Sequence, residues 1–276
     1  MCPALEGAEV ENNLLLGIVG ALAVGRPAVP AAGAGAERPL LAIVEDDAGA
    51  LAAVAVRTPP SKLVLARAPD AALAALARGI AVVDRALPGV VGPVEAAAAF
   101  ATHWSEATGA SARAGMRQRV YRLDRVVEPA PVAGRLRAAG EGDVARVAEW
   151  VDAFSRDTGV ERWNAEALVR RKLEDRALWL WEHRGPASMA CTTGATARGI
   201  RVGLVYTPPE RRGRGYASAC VAAVSRAQLA AGRRWCSLFT DLANPTSNHI
   251  YQAIGYRPVC DFADYWFESQ VAGSAQ

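Results

Sequence analysis

Val205-Tyr206-Thr207-Pro208-Pro209-Glu210-Arg211-Arg212-Gly213-Arg214-Gly215-Tyr216-Ala217-Ser218 is the stretch on which the reading of this chain turns. Residues 199–207 before it read as a strand, and 217–231 after it as a helix ended by Gly232. A strand, a glycine-bearing turn and a helix N-terminus leave several backbone N–H groups unpaired and pointing one way. At the positive end of the helix dipole, such a cluster suits a pyrophosphate. Gly213 and Gly215 let the backbone approach phosphate oxygens with no Cβ between them. Ala217 and Ser218 keep the first turn small, and Arg212 and Arg214 add positive charge. Alone the loop is weak evidence, because a chain with 25 Gly and 31 basic residues can place Arg-Gly-Arg-Gly in any solvated turn. A Walker-type loop is excluded, since no lysine follows Lys172, and a dinucleotide fingerprint lacks its third glycine near Ser218.

A second stretch, Leu238-Phe239-Thr240-Asp241-Leu242-Ala243-Asn244-Pro245, leaves a strand and enters a helix. Asn at the N-cap followed by Pro at the first helical position is a strong start signal. Asn244, Asn248 and Tyr251 fall at i, i+4 and i+7 and share one face, while Ile250 and Ile254 take the other and Gly255 ends the element. Two carboxamides and a phenol in one stripe are not an ordinary core face.

Working outward, Asp143 is expected to cap a helix through Val147, Trp150 and Phe154, and Asn164 starts a second helix. Residues 177–182 and 187–193 flank a turn at Arg184-Gly185-Pro186 and read as a hairpin. The first half repeats this order with weaker signals. A helix over 14–24 is followed by a hairpin over 40–45 and 50–56. A strand at 63–67, a helix at 69–78, a strand at 89–91, a helix at 94–106 and a strand at 116–123 complete it. Thr58-Pro59-Pro60 and Thr207-Pro208-Pro209 look alike but end different strands of the two series, so they do not support the repeat. The Pro-rich stretch 128–131 places the domain boundary, giving 1–128 and 132–270.

Composition bounds the rest. With 276 residues, 51% hydrophobic and 21% charged, the chain is globular rather than disordered. A net charge of +3 without basic runs argues against nucleic acid. The apolar stretch 14–24 is too short to span a bilayer and follows Glu6, Glu9 and Glu11, so neither a membrane nor a signal peptide is expected, and the cytoplasm is the default. Five scattered cysteines and three isolated histidines suggest neither a disulfide framework nor a metal.

Together the two motifs resemble the GNAT superfamily of N-acetyltransferases over 132–267. The family's phosphate motif is matched by Arg212-Gly213-Arg214-Gly215-Tyr216-Ala217, and its later Asn…Tyr…Gly-Phe/Tyr pattern by Asn244, Tyr251 and Gly255-Tyr256. The wording around 206–217 is also similar to the glycine N-acyltransferase-like branch. The resemblance implies an α/β fold: a mixed, mostly antiparallel sheet with a splayed parallel central pair flanked by helices. Two tandem units are implied, the first a degenerate copy.

The resemblance implies acetyl-CoA as co-substrate and transfer to a primary amine of a small molecule or amino acid. Val205, Tyr206 and Thr207 would pair with the pantetheine arm, and Arg212 to Ser218 (with Gly213, Arg214, Gly215, Tyr216 and Ala217) would hold the pyrophosphate. Asn244 and Asn248 would touch the cofactor, and Tyr251 would protonate the departing sulfur. Many relatives carry a glutamate base on a central strand. Here Ile200-Arg201-Val202-Gly203-Leu204 and Leu238-Phe239-Thr240 hold no carboxylate, which leaves Asp241 as the nearest acid. His249, off the Asn/Tyr stripe, is expected at the surface. Trp150, Phe154, Trp163, Trp181, Tyr265 and Trp266 are the aromatic candidates for an acceptor pocket, against a core role. A homodimer is compatible with this reading. The alternative is a non-catalytic sensor that only binds acetyl-CoA or CoA.

Overall fold

The structure, a computed structural model, describes residues 3–26, 38–160 and 164–268; the candidate Trp163 lies outside them. In chain order the elements are α1 (Pro3–Gly7), α2 (Asn13–Ala23), β1 (Leu40–Glu45), β2 (Leu51–Arg57) and β3 (Leu63–Leu65). Next come α3 (Asp70–Val83), β4 (Gly89–Pro93), α4 (Val94–Thr108), β5 (Ser111–Leu123) and β6 (Arg135–Ala138). After these follow α5 (Val144–Thr158), α6 (Ala165–Glu174), β7 (Leu178–Glu182), β8 (Pro186–Thr193) and β9 (Gly199–Tyr206). The chain closes with α7 (Tyr216–Ala230), β10 (Trp235–Asp241), α8 (Pro245–Ala253) and β11 (Arg257–Glu268). Two helices, three strands, helix, strand, helix, strand occur twice, from α1 to β5 and from α5 to β11, with β6 standing before the second series.

Contacts divide the chain into two compact units: Met1–Val120 with Asp241–Ala243 and Cys260–Gln276, and Tyr121–Thr240 with Asn244–Val259. This differs from a cut at the Pro-rich stretch. A boundary read from linker composition assumes consecutive blocks, whereas β11 returns to the first unit. There it lies antiparallel to β4, Phe262 opposite Pro93 and Trp266 opposite Gly89. In the same unit β1, β2 and β3 run antiparallel, and β3 is parallel to β4. The Asp46 carboxylate accepts the N–H groups of Ala48 and Ala50 at 2.9 Å and so sets the β1–β2 turn. On one sheet face α3 and α4 bury Leu73, Leu76, Ile80, Phe100 and Trp104, while α2 buries Leu15 and Ile18 on the other.

The second unit has the same layering. β6, β7, β8 and β9 are antiparallel neighbours, and β9 is parallel to β10. α5 and α6 cover one face with Val147, Trp150, Val151 and Leu168 against Leu180, Met189 and Cys191. α7 and α8 cover the other with Cys220, Val221, Val224 and Tyr251 against Ala190, Val202 and Leu238. Six of the eight β8 residues are buried because both faces are covered. Each fully buried large aliphatic side chain contributes about 1.5–3 kcal/mol.

Asn164 caps α6 as expected, accepting the Ala167 N–H at 3.0 Å. Asp143 does not cap α5 with its side chain. Its carboxylate accepts the Gly140 N–H at 2.8 Å and two bonds from Arg137 at 2.7 and 2.8 Å, because the fork-shaped guanidinium outcompetes a helix N–H. No helix among the described residues is long and apolar enough to cross a membrane.

Candidate functional site

β9 and β10 pair over three residues only: Gly199 with Trp235, Ile200 with Cys236, and Arg201 with Ser237. Beyond Ser237 both strands continue, to Tyr206 and Asp241, with no ladder between them. The cause lies within β9. Its register against β8 slips between Met189/Tyr206 and Cys191/Gly203, so one side carries an extra residue. Leu204 sits there at φ +50°, a bulge that turns the strand away from its parallel neighbour. The splayed parallel pair expected from the resemblance is therefore present, and the edge of 202–206 facing the gap has no partner in β10.

The chain leaves this gap into the glycine loop. Gly213 (φ +71°) and Gly215 (φ +76°) both take the left-handed conformation. The first bonded amide of α7 is that of Ala219, which donates to Gly215 O at 3.0 Å. The N–H groups of 213–218 have no partner among the described residues. Six consecutive donors at a helix N-terminus, with open space where a Cβ of Gly213 would stand, form an anion cradle.

The loop side chains behave less simply. Arg212 is exposed but tied down: Nε donates to Thr207 O at 2.9 Å, Nη2 to Asp157 at 2.7 Å, and the guanidinium lies 5.6 Å from the Tyr206 ring centroid. Its charge is compensated by α5, so it braces the loop. Arg214 is exposed and makes no ion pair among the described residues. Tyr216 is buried and its hydroxyl meets His183 Nδ1 at 2.6 Å, so only its backbone faces the loop. Ala217 and Ser218 are partly exposed. Thr207 Oγ1 donates to Ser188 Oγ, which donates to Tyr206 O. The Tyr206 and Thr207 carbonyls are thus each already accepting one bond.

On α8, Asn244 caps the helix through Ser247 N–H at 3.0 Å. Asn248 donates to Asn244 O at 2.7 Å and accepts from the buried Tyr121 hydroxyl at 2.9 Å. Both carboxamides are engaged in holding α8, which the helical stripe did not foretell. Tyr251 differs. It packs with Val202 and Leu238, the residues just past the last paired step of β9 and β10, and edge-on to Tyr256 at 6.1 Å. Its hydroxyl has no hydrogen-bond partner among the described residues, and burial pushes its pKa above the ordinary phenol value. A neutral phenol at the mouth of the gap is a proton donor, not a base.

Asp241 falls in the first unit, where its carboxylate accepts the Ala243 N–H at 2.8 Å and closes a turn. With Gly115, Met116, Arg117, Leu242, Ala243 and Asp261 it lines an open cavity of about 670 Å³. Trp150 lies 6.1 Å from Tyr206 in the core under α5, with Phe154 beside it. Trp181 packs on the α7 side, and Tyr265 and Trp266 belong to the first unit, Trp266 under the Lys62 ammonium at 3.4 Å. Within the second unit, Trp150 and Phe154 thus lie on the α5 face and Trp181 on the α7 face. His249 is exposed, as expected. Sequence reasoning missed the Arg212–Asp157 pair and the bulge at Leu204, neither of which has a local signature.

The equivalent turn of the first unit lacks the cradle. Only Ala66-Arg67-Ala68-Pro69 separates β3 from α3, and Asp70 places a carboxylate in the first turn.

Residues 184–267 match the family model described as FR47-like protein. No curated protein sequence matches the chain. Among solved structures, a GCN5-related N-acetyltransferase from Kribbella flavida superposes with TM-score 0.62 at 15% identity, covering 94% of each chain. A GCN5-related N-acetyltransferase from Sphaerobacter thermophilus gives 0.59 at 18%, covering 94% of this chain and 92% of that one. A tandem GNAT protein from the clavulanic acid biosynthesis pathway gives 0.52 at 14%, covering 98% and 97%. The chain therefore has the mixed α/β GNAT fold, tandem along its length, with an FR47-like domain in its C-terminal half.

Proposed function

We propose that this GNAT-fold chain moves an acetyl group from acetyl-CoA to a primary amine of a small molecule or amino acid, by direct attack within a ternary complex. The observation that carries the reading is the run of unpartnered N–H groups over 213–218, opening directly from the gap between β9 and β10. The cradle fits a pyrophosphate, and the open edge of 202–206 fits an extended amide-bearing arm, which would add to β9 as a strand does. Acetyl-CoA would supply the acyl group as a thioester, whose carbonyl carbon the amine nitrogen attacks while the C–S bond breaks.

The residues divide the work. Backbone donors of 213–218 neutralise the diphosphate charge, and Arg214 stands exposed beside them. An N–H of the parted β9 edge polarises the carbonyl. Tyr251 gives its proton, or a hydrogen bond, to the sulfur that leaves, and burial keeps that proton in place until then. The amine's surplus proton passes to water.

The test is calorimetric titration of acetyl-CoA into the protein, beside a variant in which Gly213 and Gly215 are replaced by bulky residues. One-site binding that the variant loses supports the reading. Absence of binding at millimolar acetyl-CoA refutes it. Binding without transfer to any amine in a panel would leave the sensor reading instead.

A further inference from the structure

The two recurring series differ at their first strand. In the second unit β7 is covered along its outer edge by β6, antiparallel from Arg135 opposite Glu182 to Ala138 opposite Trp179. β1 holds the same place in the first series, and among the described residues it pairs with β2 and with no other strand. Backbone N–H and C=O groups along its far side are therefore offered to whatever strand comes alongside. The side chains mark the same gap. Leu178 and Leu180, on the face of β7 under α5 and α6, are buried. Leu41 and Ile43 alternate with the β1 residues that pack with α3 and so lie on the opposite, α2 face, yet each stays 55% exposed.

Edge strands of monomeric proteins are shielded by charge, proline, brevity or a bulge. β6 follows that practice, with four residues reading Arg-Leu-Arg-Ala. β1 does not. Leu40-Leu41-Ala42-Ile43-Val44 carries neither charge nor proline, and its bulge lies at the turn, between Val44 and Glu45. The apolar surface continues onto α3, where Val82 and Val83 are 82% and 68% exposed. They stand near the start of β1, because the next residue, Asp84, is ion-paired with Arg57, which lies opposite Leu40.

We propose that β1 pairs antiparallel with β1 of a second copy of this chain, so that the protein is a dimer joined through the edge of its first-unit sheet. The charges choose the direction. Arg38 precedes the strand and Glu45-Asp46-Asp47 end it; all four are exposed, and none has an ion pair among the described residues. Parallel pairing would set the two acidic ends together, whereas antiparallel pairing sets each beside an arginine. A two-fold axis perpendicular to the sheet matches faces only where some residue lies opposite its own copy. With Ala42 in that place, Leu41 meets Ile43 of the partner subunit, Leu40 meets Val44 of the partner subunit, and Arg38 falls beside the acidic end of the other strand. Centred on Leu41, the pairing would set Pro39 against Ile43 of the partner subunit. Centred on Ile43, it would set Leu41 against Glu45 of the partner subunit. Ala42 is the centre that keeps apolar against apolar.

The test is sedimentation of the full chain from about 1 to 100 μM, a range in which a modest strand interface shows a monomer–dimer equilibrium. Ile43→Lys puts a charge opposite Leu41 of the partner subunit, and Arg38→Glu sets acid beside acid. Each should weaken dimerisation at least ~10-fold while the circular dichroism stays that of the parent, because both side chains are exposed. Ala42→Cys, oxidised with copper phenanthroline, reads the register. Residues opposed across antiparallel strands stand about 4.5–5.5 Å apart at Cα, within disulfide reach, so this variant should form a covalent dimer. Glu45→Cys, far from its own copy in the same register, should not, and neither should the parent. A parent that stays monomeric at about 100 μM overturns the proposal and leaves the edge to another segment or another protein. A dimer that survives both Ile43→Lys and Arg38→Glu overturns it as well, as does cross-linking through Glu45→Cys in preference to Ala42→Cys. None of these readouts depends on acetyl-CoA, so the proposal stands or falls apart from the acetyltransferase reading.

Discussion

Replacing Tyr251 by Phe should separate stability from turnover. A buried hydroxyl usually contributes about 1 kcal/mol through its hydrogen bond, and leaving a partner unsatisfied costs about 1–3 kcal/mol. The Tyr251 hydroxyl has no partner among the described residues, so its removal should change the unfolding free energy by no more than ~0.5 kcal/mol. The neighbouring Tyr256 is the control. Its ring meets that of Tyr251 edge-on, but its hydroxyl is paired with the buried Ser225 Oγ at 2.9 Å. Tyr256→Phe strands Ser225 and should cost about 1–3 kcal/mol. At roughly 2–4 °C per kcal/mol for a chain of this class, Tyr256→Phe melts several degrees lower and Tyr251→Phe melts with the parent. Turnover of an accepted amine, followed by release of the CoA thiol, should move the other way. Tyr251→Phe loses about 10²–10⁴-fold if the proton transfer limits the rate, and Tyr256→Phe keeps most of its activity below its melting point. A drop of more than about 4 °C for Tyr251→Phe would mean that the hydroxyl is bonded after all. Turnover within two-fold of the parent would reduce Tyr251 to a packing residue.

Gly213→Ala meets no atom but must hold φ +71°, so it should cost about 1–2 kcal/mol of stability, read by denaturant melting, and weaken acetyl-CoA at least ~10-fold by titration. Burial pushes the Cys220 and Cys236 thiols up to about 12 and leaves both side chains inaccessible, so a thiol reagent at pH 8 should react with them only as fast as the protein unfolds. Arg137, ahead of the opposing cost of burial, holds the Asp143 carboxyl below its ordinary value. That contribution is present above the unfolded pKa near 4 and is lost as pH falls through the folded one, so Asp143→Asn should lower stability at pH 7 by about 1 kcal/mol and flatten the acid limb of a melting series. Asp157→Ala frees Arg212, and the amides of Arg211 and Arg212, which donate to Pro208 O and Pro209 O, should exchange faster without loss of α7.

Much of the local architecture was legible because it is carried by short-range chemistry. Asn164 and Asn244 start their helices by accepting an amide three residues on, Asp46 closes its own hairpin, and period-two and period-3.6 patterns mark the elements around the glycine loop. Asp143 shows the limit. It has the right type and place for a cap, yet Arg137 and Gly140 claim its carboxylate, and only Arg137's position on β6 makes that choice.

What the chain's own order of residues determined is therefore the set of elements, the two-fold recurrence of their series, the position of the cradle and the phenol on α8. Tertiary structure alone decided that β9 parts from β10, because Leu204 bulges against a β8 register set fifteen residues earlier in the chain. It also decided that β11 lies beside β4, and that the exposed Arg212 is paired with Asp157 of α5. It brought Thr193, Arg201 and Ser237 into one row. Each of these depends on which strands become neighbours, and pairing between distant segments leaves no mark on local periodicity.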